Sequence, residues 1–430
     1  FRRVLFRSLS VDWTMTYTTI GEPARRASQR AFLRNYARGE AYQADAPTMW
    51  DVDDQTAIAQ AEMEDREMPG AYHRLAFHRV DGAGDVFIET TRPELLPACV
   101  ALVAHPDDER YQPLFGQTVR TPLFDVEVPV VAHRLADPDK GSGIAMICTF
   151  GDVTDVVWWR ELQLPTRAIV TRDGRVRADV PEWITDAAGI GHYETIAGAN
   201  LKQAQTRVVE ALTASGEMHG EPRAITHPVK FYERGKRPLE LVASRQWYIR
   251  NGGRDADRRE AFLARGRALQ WVPGYMHQRY ESWVEGLTGD WLVSRQRYFG
   301  VPIPVWYSLD AQGEPAAVLV PDEARLPVDP AVDVPDGFVE AQRNQPGGFS
   351  GDPDVMDTWA TSSLTPFIVC GWEDDPDLFA RTYPMDLRPQ AYEIIRTWLF
   401  STVVRAHYET DSLPWQNAAL SGWRSEEHTS

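Results

Sequence analysis

The feature that most constrains this chain is an alternating stretch of sequence between residues 72 and 90. YHRLAFHRV (72–80) alternates apolar and polar residues, DGAGD supplies glycines for a tight turn, and VFIET (86–90) runs back. Two alternating runs around a glycine turn are typical of a β-hairpin. Short apolar runs continue the strand pattern, so we expect a β-rich domain from about residue 70. These runs lie at 99–104, 126–133 and 144–150.

Helical patterns surround this β-rich segment. Residues 22–39 have Pro23 in second place, carry an apolar face and end at a glycine, which predicts an amphipathic helix. A short polar helix or arm is predicted at 53–65, and further helices at 153–163 and 201–215. From about residue 220 the sequence is rich in tryptophan and is predicted to be mainly helical, with a buried strand at 302–307. A length of 430 residues favours two or three domains.

Composition excludes several classes of protein. The chain carries 45 basic and 62 acidic residues, a net charge of −17, which argues against a polyanion binder held by bulk charge. No apolar run approaches about 20 residues, so no transmembrane helix is expected. Cys99, Cys148 and Cys370 are far apart and odd in number, which excludes a disulfide scaffold and a CxxC zinc knuckle. A reducing, cytoplasmic setting fits best.

The two ends of the chain look foreign to the rest. FRRVLFRS (1–8) leads into no structural pattern, and RSEEHTS (424–430) interrupts an apolar stretch that should continue. Both resemble translated sequencing-adapter read-through, and a divergent natural terminus is the alternative. We therefore keep these segments out of the fold prediction and take 9–423 as the natural portion.

Two short motifs carry groups that could do chemistry. TTRPE (90–94) ends a strand, and its two hydroxyls and guanidinium could hold a carbonyl or a phosphate. The alternative is a strand-end turn with Arg92 paired to an acid. GDVTD (151–155) follows a strand, and a helix starting there would place Asp152 and Asp155 on one face. Such acids could hold an ammonium group, or they could cap the helix.

A third motif, HPDDE (105–109), resembles a metal-ligating cluster. The stronger interpretation is an acid-rich first turn of a helix, stabilised by the helix dipole. The sequence holds no GxGxxG, no phosphate-loop motif and no GxSxG nucleophile elbow. For each tryptophan, core packing is the first interpretation.

Seven segments, taken in order along the chain, resemble the valyl-tRNA synthetases, a family of class I aminoacyl-tRNA synthetases. The stretches at 227–249 and 149–152 look like the branch of that family found in archaea and some bacteria. Isoleucyl- and leucyl-tRNA synthetases are the alternatives of the same class. The seven segments are DWTMTYTTI (12–20), TTRPE (90–94), HPDDERY (105–111), GSGIAM (141–146), SRQRYFGVPIPVWY (294–307), DVMDTWATSSL (354–364) and RPQAYEIIRTWLF (388–400).

The resemblance implies an α/β fold: a Rossmann-like nucleotide-binding catalytic domain, incomplete here, interrupted by a β-rich α+β editing domain. Residues 9–69 would be the end of the first catalytic half with a connecting arm, 70–220 the editing domain, and 221–423 the second catalytic half. The family's His-Ile-Gly-His and Lys-Met-Ser-Lys-Ser signatures for ATP do not occur in the sequence. We therefore expect this chain not to perform synthesis.

In the synthetic site, the resemblance assigns substrate-binding roles to four residues. Asp12 would hold the ammonium group of valine, since a carboxylate accepts charge-assisted hydrogen bonds. Trp359, Ile394 and Trp398 would form a small apolar slot for the valine side chain. Glu393 stands where the family usually has an Asp near the ribose of ATP.

In the editing site, the resemblance assigns the terminal adenosine and the ester to Thr90, Thr91 and Arg92. Asp155 matches the acid that reads the amino group of the misattached amino acid, and Asp152 is its neighbour. Three positions depart from the common pattern. Met146 stands where the family often has Lys, Cys148 where it often has Thr, and Gly151 where His is common.

The implied function is valine–tRNA ligation with hydrolytic editing. Threonine is nearly isosteric with valine, and an apolar pocket rejects its hydroxyl by only about 10²-fold. A second site would hydrolyse threonyl-tRNA(Val) with water and without a covalent nucleophile. The implied partners are tRNA(Val), valine, ATP and Mg²⁺ for a monomeric, cytoplasmic enzyme, with no zinc and no membrane. The alternatives are an isoleucyl-tRNA synthetase fragment, a fragment that only hydrolyses, or a non-enzymatic tRNA-binding module.

Overall fold

The computed structural model describes residues 12, 14–149, 151 and 153–421. The two foreign-looking ends and the predicted editing residue Asp152 lie outside the described residues. The chain divides into two compact units. The inserted unit comprises residues 45–58 and 62–245, and it contains the whole of the predicted 70–220 editing segment. The flanking unit comprises the described residues up to 44, residues 59–61, and the described residues from 246 onward.

Strands occur along the whole described chain, and most of them are short. In chain order they are β1 Ala41–Asp51, β2 Thr56–Ala57, β3 Met63–Arg79, β4 Asp85–Thr90, β5 Cys99–Ala104, β6 Thr118–Arg120, β7 Glu127–Ala132, β8 Ile144–Cys148, β9 Arg223–Tyr232, β10 Glu240–Ile249, β11 Gln270–Val272, β12 Trp291–Leu292, β13 Ser294–Arg295, β14 Trp306–Leu309, β15 Pro315–Leu319, β16 Phe349–Gly351, β17 Val355–Met356, β18 Met385–Ala391 and β19 Trp415–Ser421.

The α-helices are spread over both units. They are α1 Glu22–Ala37, α2 Val153–Glu161, α3 Ala187–Ile196, α4 Leu201–Ser215, α5 Ala256–Ala268, α6 His277–Glu285, α7 Thr358–Ser362, α8 Thr365–Val369, α9 Pro376–Thr382 and α10 Phe400–Thr410. Short 3₁₀ turns join several elements, and Ile395–Leu399 forms a π-helical turn just before α10. No helix among the described residues is long and apolar enough to span a bilayer.

The inserted unit is built on one curled sheet in the order β4-β3-β6-β7-β5-β8, with β9 also paired to β3. All these pairs are antiparallel except β5 with β7, which is parallel. The two edge strands of this sheet, β4 and β8, approach each other. The Glu89 N–H of β4 donates a hydrogen bond to Ser142 Oγ, just before β8, at 3.2 Å. The sheet is therefore nearly closed and has an inner and an outer face.

The all-apolar sequence of β5 follows from its burial on both faces. Leu102 and Ala104 belong to the inner core, together with residues of the β3–β4 hairpin. Val100 and Val103 belong to a second cluster, which they share with Trp158 of α2. A strand covered on both sides needs apolar residues at every position, so the alternation seen in the hairpin is lost here.

The bounds of helix α4 follow from signals in its own sequence: an N-cap, an apolar stripe and a terminal glycine. The Asn200 side chain accepts the Gln203 N–H at 2.9 Å and caps the start, and Gly216 ends the helix with φ of 82°. Ala204, Val208 and Leu212 are buried at four-residue spacing, so one stripe packs on the core. The helix predicted at 201–215 is confirmed.

In the flanking unit, β11, β19 and β18 form a three-stranded parallel sheet. The chain runs from β18 through the π-helical turn and α10 to β19, the helical crossover that parallel strands require. The smaller pairs β10–β12, β13–β17, β14–β15 and β14–β16 are antiparallel. This unit is therefore mixed α/β.

The core of the flanking unit is rich in aromatic side chains. Phe32 of α1 meets Trp247 edge-to-face with ring centroids 5.1 Å apart. The indole N–H of Trp247 donates to Asp352 Oδ2 at 2.8 Å, which satisfies the polar end of a fully buried ring. Core packing is thus the observed role of this tryptophan.

The strand predicted at 302–307 is displaced, because β14 begins only at Trp306. Three further local predictions are wrong. Residues 53–65 form β2, a 3₁₀ turn at Gln60–Glu62 and the start of β3 instead of a polar helix. The chain just after residue 220 forms the long strands β9 and β10 before the helices begin. HPDDE is a turn and no helix starts there; Asp108 caps no helix but binds the guanidinium of Arg110 at 2.8 and 2.6 Å.

Candidate functional site

The TTRPE motif lies where β4 ends and the chain enters the 3₁₀ turn Pro93–Ala98. The Thr90 hydroxyl oxygen accepts the backbone N–H of Arg92 at 3.0 Å. A threonine hydroxyl that binds the backbone two residues on fixes a tight turn.

Arg92 is held by three acceptors from three segments of the inserted unit. Its Nε donates to Glu94 Oε1 at 3.0 Å, and its Nη2 donates to Glu240 Oε2 at 2.8 Å. Its Nη1 donates to the carbonyl of Gly151 at 3.2 Å. Burial alone would lower the pKa of Arg92, but Glu240 and Glu94 outweigh it and raise the pKa. Arg92 is therefore a fixed cation paired with two acids, which was the alternative interpretation of this motif.

Glu94 is the buried acid of this turn and accepts hydrogen bonds from Arg92 and from Gln205 of α4. Only 4% of the residue is exposed, and burial raises the pKa of its carboxyl while the charge of Arg92 opposes the rise. Gln205 of α4 donates both to Glu94 Oε2 and to the carbonyl of Thr91, each at 3.2 Å. The helix and the turn are thus tied together, and Thr91 is positioned through its backbone.

Asp155 lies in the first turn of α2 and is 6% exposed. Its Oδ2 accepts the backbone N–H of Gly151 at 3.0 Å. The carbonyl of the same Gly151 accepts from Arg92, so a single peptide segment joins the acid to the cation. A Cβ at Gly151 would lie 2.5 Å from Asp155 Oδ2, so a side chain there would push the acid aside.

Two cysteines face each other beside these groups. Cys99 of β5 and Cys148 of β8 are directly opposite in the ladder, and both are free and buried. Burial raises the pKa of Cys148, with a further contribution from its hydrogen bond with Cys99. Cys148 is therefore a neutral thiol at physiological pH, which is unsuited to nucleophilic attack.

His73 of β3 is a polar neighbour of Thr90 that the sequence did not single out. The two residues are direct partners in the β3–β4 ladder. His73 is 8% exposed, and its Nδ1 has no hydrogen-bond partner among the described residues. Burial lowers the pKa of this imidazole. The signal in the sequence is a polar residue at an inward position of the alternating run, two places before Leu75.

The two histidines of β3 should give opposite pH dependences. A lowered pKa for His73 means that its contribution to stability falls as pH drops below about 6.5, the value for a free imidazole. For His78 burial works against the charge, but hydrogen bonds to Glu217 and Asp85 outweigh it and raise the pKa. Its contribution is present below about 6.5 and is lost as pH rises through the higher folded value.

We therefore expect His73→Phe to make the midpoint of thermal unfolding less sensitive to acid between pH 7.5 and 5.5, and His78→Phe to make it more sensitive. Parallel pH dependences for the two variants and the parent would contradict both assignments.

The predicted synthetic-site residues lie in the flanking unit. Asp12 is exposed, and its Oδ1 accepts hydrogen bonds from the N–H and the hydroxyl of Thr14 at 2.9 and 2.6 Å. The side-chain and backbone bonds from Thr14 lower the pKa of Asp12, so it is an anion at neutral pH.

The residues of the predicted valine slot come from two segments that lie in contact in the structure. Trp398 of the π-helical turn donates its indole N–H to the carbonyl of Ser362 in α7 at 2.8 Å. Trp359 stands in the same short helix, and Ile394 directly precedes the π-helical turn. Trp359, Ile394 and Trp398 are all partly exposed, as residues that face a ligand are.

Glu393, predicted near the ribose, is half-buried next to this slot. Its Oε2 is enclosed and has no hydrogen-bond partner among the described residues. Across the part of the chain that is described, no group of three or more His, Cys, Asp or Glu side chains converges as metal ligands would.

A buried ion pair beneath the slot was missed by the sequence analysis. Arg295 and Asp357 are each 3% exposed, with Arg295 Nη2 3.2 Å from Asp357 Oδ2. Asp357 also accepts the backbone N–H of Trp359 at 3.1 Å, so it caps α7. The signal in the sequence was an acid two residues before the tryptophan, at a helix start.

Comparison with known proteins gives the family. The family model described as "tRNA synthetases class I (I, L, M and V)" matches residues 6–428. The valine–tRNA ligase of Thermobifida fusca is 67% identical over 417 residues, which cover 96% of this chain and 47% of that protein. The valine–tRNA ligase of Cutibacterium acnes is 65% identical, with coverages of 96% and 48%.

The chain spans about half the length of these curated relatives. A solved leucyl-tRNA synthetase from Agrobacterium radiobacter K84, in a ternary complex with tRNA, aligns over 95% of this chain and 54% of that chain. Its identity is 16% and its TM-score 0.38, so this likeness carries no weight here. The names of the sequence relatives confirm the predicted resemblance to valyl-tRNA synthetases, and the family match confirms the α/β class. The chain belongs to the class I tRNA synthetases of the isoleucyl, leucyl, methionyl and valyl group.

Proposed function

We propose that this chain is a portion of a cytoplasmic, monomeric valine–tRNA ligase that activates valine with ATP and Mg²⁺ and charges tRNA(Val). Three relatives named valine–tRNA ligase, 63–67% identical over nearly the whole chain, support this assignment. We propose further that the inserted unit hydrolyses threonyl-tRNA(Val), and that this hydrolysis is the activity of the 430-residue chain itself.

One observation carries the hydrolytic proposal: Gly151 links Asp155 to Arg92 beside the strand end at Thr90. The distances are 3.0 Å from Gly151 N to Asp155 Oδ2 and 3.2 Å from Arg92 Nη1 to the Gly151 carbonyl. A buried carboxylate next to a turn of hydroxyls suits an aminoacyl ester, because the substrate brings an ammonium group, a carbonyl and a ribose.

In this proposal each group has one task. Asp155 holds the ammonium group of the aminoacyl moiety, and Asp152 lies on the same stretch of chain. Thr90, Thr91 and the turn fixed by Arg92 hold the terminal adenosine and the ester. Water is the attacking group, since Cys148 is kept as a neutral thiol.

The proposed synthetic site takes its substrates in the flanking unit. Trp359, Ile394 and Trp398 form the apolar slot for valine, Asp12 holds its ammonium group, and Glu393 faces the ribose of ATP. The enclosed, unpartnered Oε2 of Glu393 supports a polar ligand at that place, since a buried carboxylate oxygen without a partner is costly.

Replacing Asp155 by Asn tests the hydrolytic site. The amide keeps the size of the side chain but removes the charge that pairs with the ammonium group, so we expect deacylation of threonyl-tRNA(Val) to fall by about 10²-fold. The measurement is single-turnover release of radiolabelled threonine by the purified 430-residue chain.

Asp139→Asn is the matched control, because Asp139 is an exposed acid of the same unit. It should deacylate like the parent chain. Equal rates for Asp155→Asn and the parent would remove Asp155 from the mechanism. A folded parent chain that does not deacylate threonyl-tRNA(Val) at all would refute the proposed activity.

A further inference from the structure

The inner face of the β3–β4 hairpin ends at a polar pair. In the antiparallel ladder Phe77 is opposite Val86, Leu75 is opposite Ile88, and His73 is opposite Thr90. Directly opposed residues project to the same face of a sheet. His73 and Thr90 therefore continue the buried inner face of Leu75 and Ile88 to the edge where the TTRPE turn begins.

The Thr90 hydroxyl oxygen and the Arg92 guanidinium both have hydrogen-bond partners at this edge. The Thr90 hydroxyl oxygen accepts the Arg92 N–H. Arg92 donates to Glu94, Glu240 and Gly151. A substrate that enters beside Thr90 thus meets groups whose hydrogen bonds hold the turn together.

Strand β8 offers little polarity on the same inner face. Met146 is a thioether, and Cys148 is a neutral buried thiol. Both pack on the inner core that contains Leu75 and Ile88. Neither side chain is a strong partner for a hydroxyl group.

His73 is a polar side chain of this face with a ring nitrogen that has no partner among the described residues. It is 92% buried, and the nitrogen is Nδ1. A buried ring nitrogen left without a partner is unfavourable, so a ligand that supplies a hydrogen bond there gains affinity. A hydroxyl donates as well as accepts, and it therefore pairs with Nδ1 in either tautomer of a neutral imidazole.

We propose that His73 determines specificity in the editing reaction by binding the side-chain hydroxyl of the threonyl group through Nδ1. The inference rests on the proposed deacylase function and names the residue that distinguishes its substrate. Valine carries a methyl group where threonine carries the hydroxyl, so a valyl ester leaves Nδ1 unpaired. A site built to hydrogen-bond a hydroxyl rejects an analogue that lacks it.

The test compares four forms of the 430-residue chain: the parent, His73→Leu, His73→Asn and His78→Asn. The Asn amide can place a hydrogen-bonding group near the position of Nδ1, whereas Leu fills the space without one. His78 is the matched control, because it lies on the same strand, faces outward and pairs with Asp85 and Glu217. Each form is assayed for deacylation of threonyl-tRNA(Val) and of valyl-tRNA(Val).

We expect His73→Leu to lower the ratio of threonyl to valyl deacylation by about tenfold or more. His73→Asn should keep the ratio within about threefold of the parent, and His78→Asn should leave it unchanged. Binding of non-hydrolysable threonyl and valyl amides of 3′-amino-adenosine, measured by calorimetry, should show the same loss of discrimination. Circular dichroism verifies that each form is folded.

The outcomes separate the two proposals. A folded His73→Leu chain that keeps the parent ratio overturns the role of His73 and leaves the deacylase function standing. A folded parent chain that hydrolyses neither ester overturns the deacylase function, and the role of His73 with it. If His73→Leu does not fold, His73→Phe takes its place in the same assays, since it also removes the hydrogen-bonding group: a tenfold loss of the ratio supports the proposal, and a ratio close to that of the parent overturns it.

Discussion

Replacing Arg92 by Gln should lower the free energy of unfolding of the inserted unit by about 3 kcal/mol and abolish the proposed deacylation. The guanidinium faces Glu94 and Glu240, whose side chains are 6% and 14% exposed. Removing the cation leaves two acids enclosed without a counter-charge, and it also breaks the link to Gly151. A buried charge that loses its partner costs more than the pair contributed.

The loss of folding stability caused by Arg92→Gln should increase as the pH rises. Burial already raises the pKa of Glu94 against the pull of Arg92. Without Arg92, the pKa of Glu94 in the folded chain rises further above its value in the unfolded chain. Ionising Glu94 then costs more in the folded chain, so stability is lost as the pH rises. We expect the difference between Arg92→Gln and the parent to be larger at pH 8 than at pH 5, measured by urea unfolding.

A control for this prediction is Arg120→Gln, which removes an exposed pair of the same unit with Glu127 at 3.1 Å. That change should cost less than about 1 kcal/mol. Arg92→Lys keeps the charge but loses the planar fork, so it should fall between the parent and the Gln variant. Equal stability of Arg92→Gln and Arg120→Gln would show that the contacts of Arg92 with Glu94, Glu240 and Gly151 stabilise the fold no more than an exposed ion pair does.

Replacing Arg295 by Met should destabilise the flanking unit by about 3–5 kcal/mol. Both Arg295 and Asp357 are 3% exposed, so the carboxylate would be left in a place that water does not reach. Asp357 accepts hydrogen bonds from the Trp291 indole at 3.3 Å and from the Trp359 backbone at 3.1 Å. A change in its protonation or position would therefore move the start of α7, where one wall of the proposed valine slot lies.

The double variant Arg295→Met with Asp357→Asn should recover part of the loss, because the amide removes the buried charge that Arg295 had balanced and keeps an oxygen to cap the helix. Arg267→Met, which removes the exposed contacts to Glu260 and Glu281, is the control and should cost less than about 1 kcal/mol. Urea unfolding followed by tryptophan fluorescence measures all three. A double variant no more stable than Arg295→Met would argue against the buried charge of Asp357 as the cause.

The sequence predicted elements whose signals are local. Helix α4 matches its prediction because its cap, its terminal glycine and its apolar stripe all lie within 17 consecutive residues, Asn200 to Gly216. The β3–β4 hairpin was predicted because its turn and its alternation are contiguous. The family resemblance also rests on contiguous motifs, and the family match confirms it.

The long ribbon of β3 and β9 was not predicted. It pairs Met63 with Tyr232 at one end and Tyr72 with Arg223 at the other. Most of its side chains are exposed or half-buried, so burial imposes no strict alternation on either strand. Backbone hydrogen bonds between residues 151 to 169 positions apart in the sequence hold it, and they leave little trace in the local sequence.

By itself the sequence determined the order of motifs, the hairpin, the buried strands and the chemical types of residue at Thr90, Arg92 and Asp155. The tertiary structure alone decided which of these groups meet. Glu94, Gly151 and Glu240 converge on Arg92 from three segments, and His73 takes its place beside Thr90 through the ladder of β3 and β4. The physical reason is that such contacts depend on how the sheet curls and what it buries, and no short stretch of sequence carries that information.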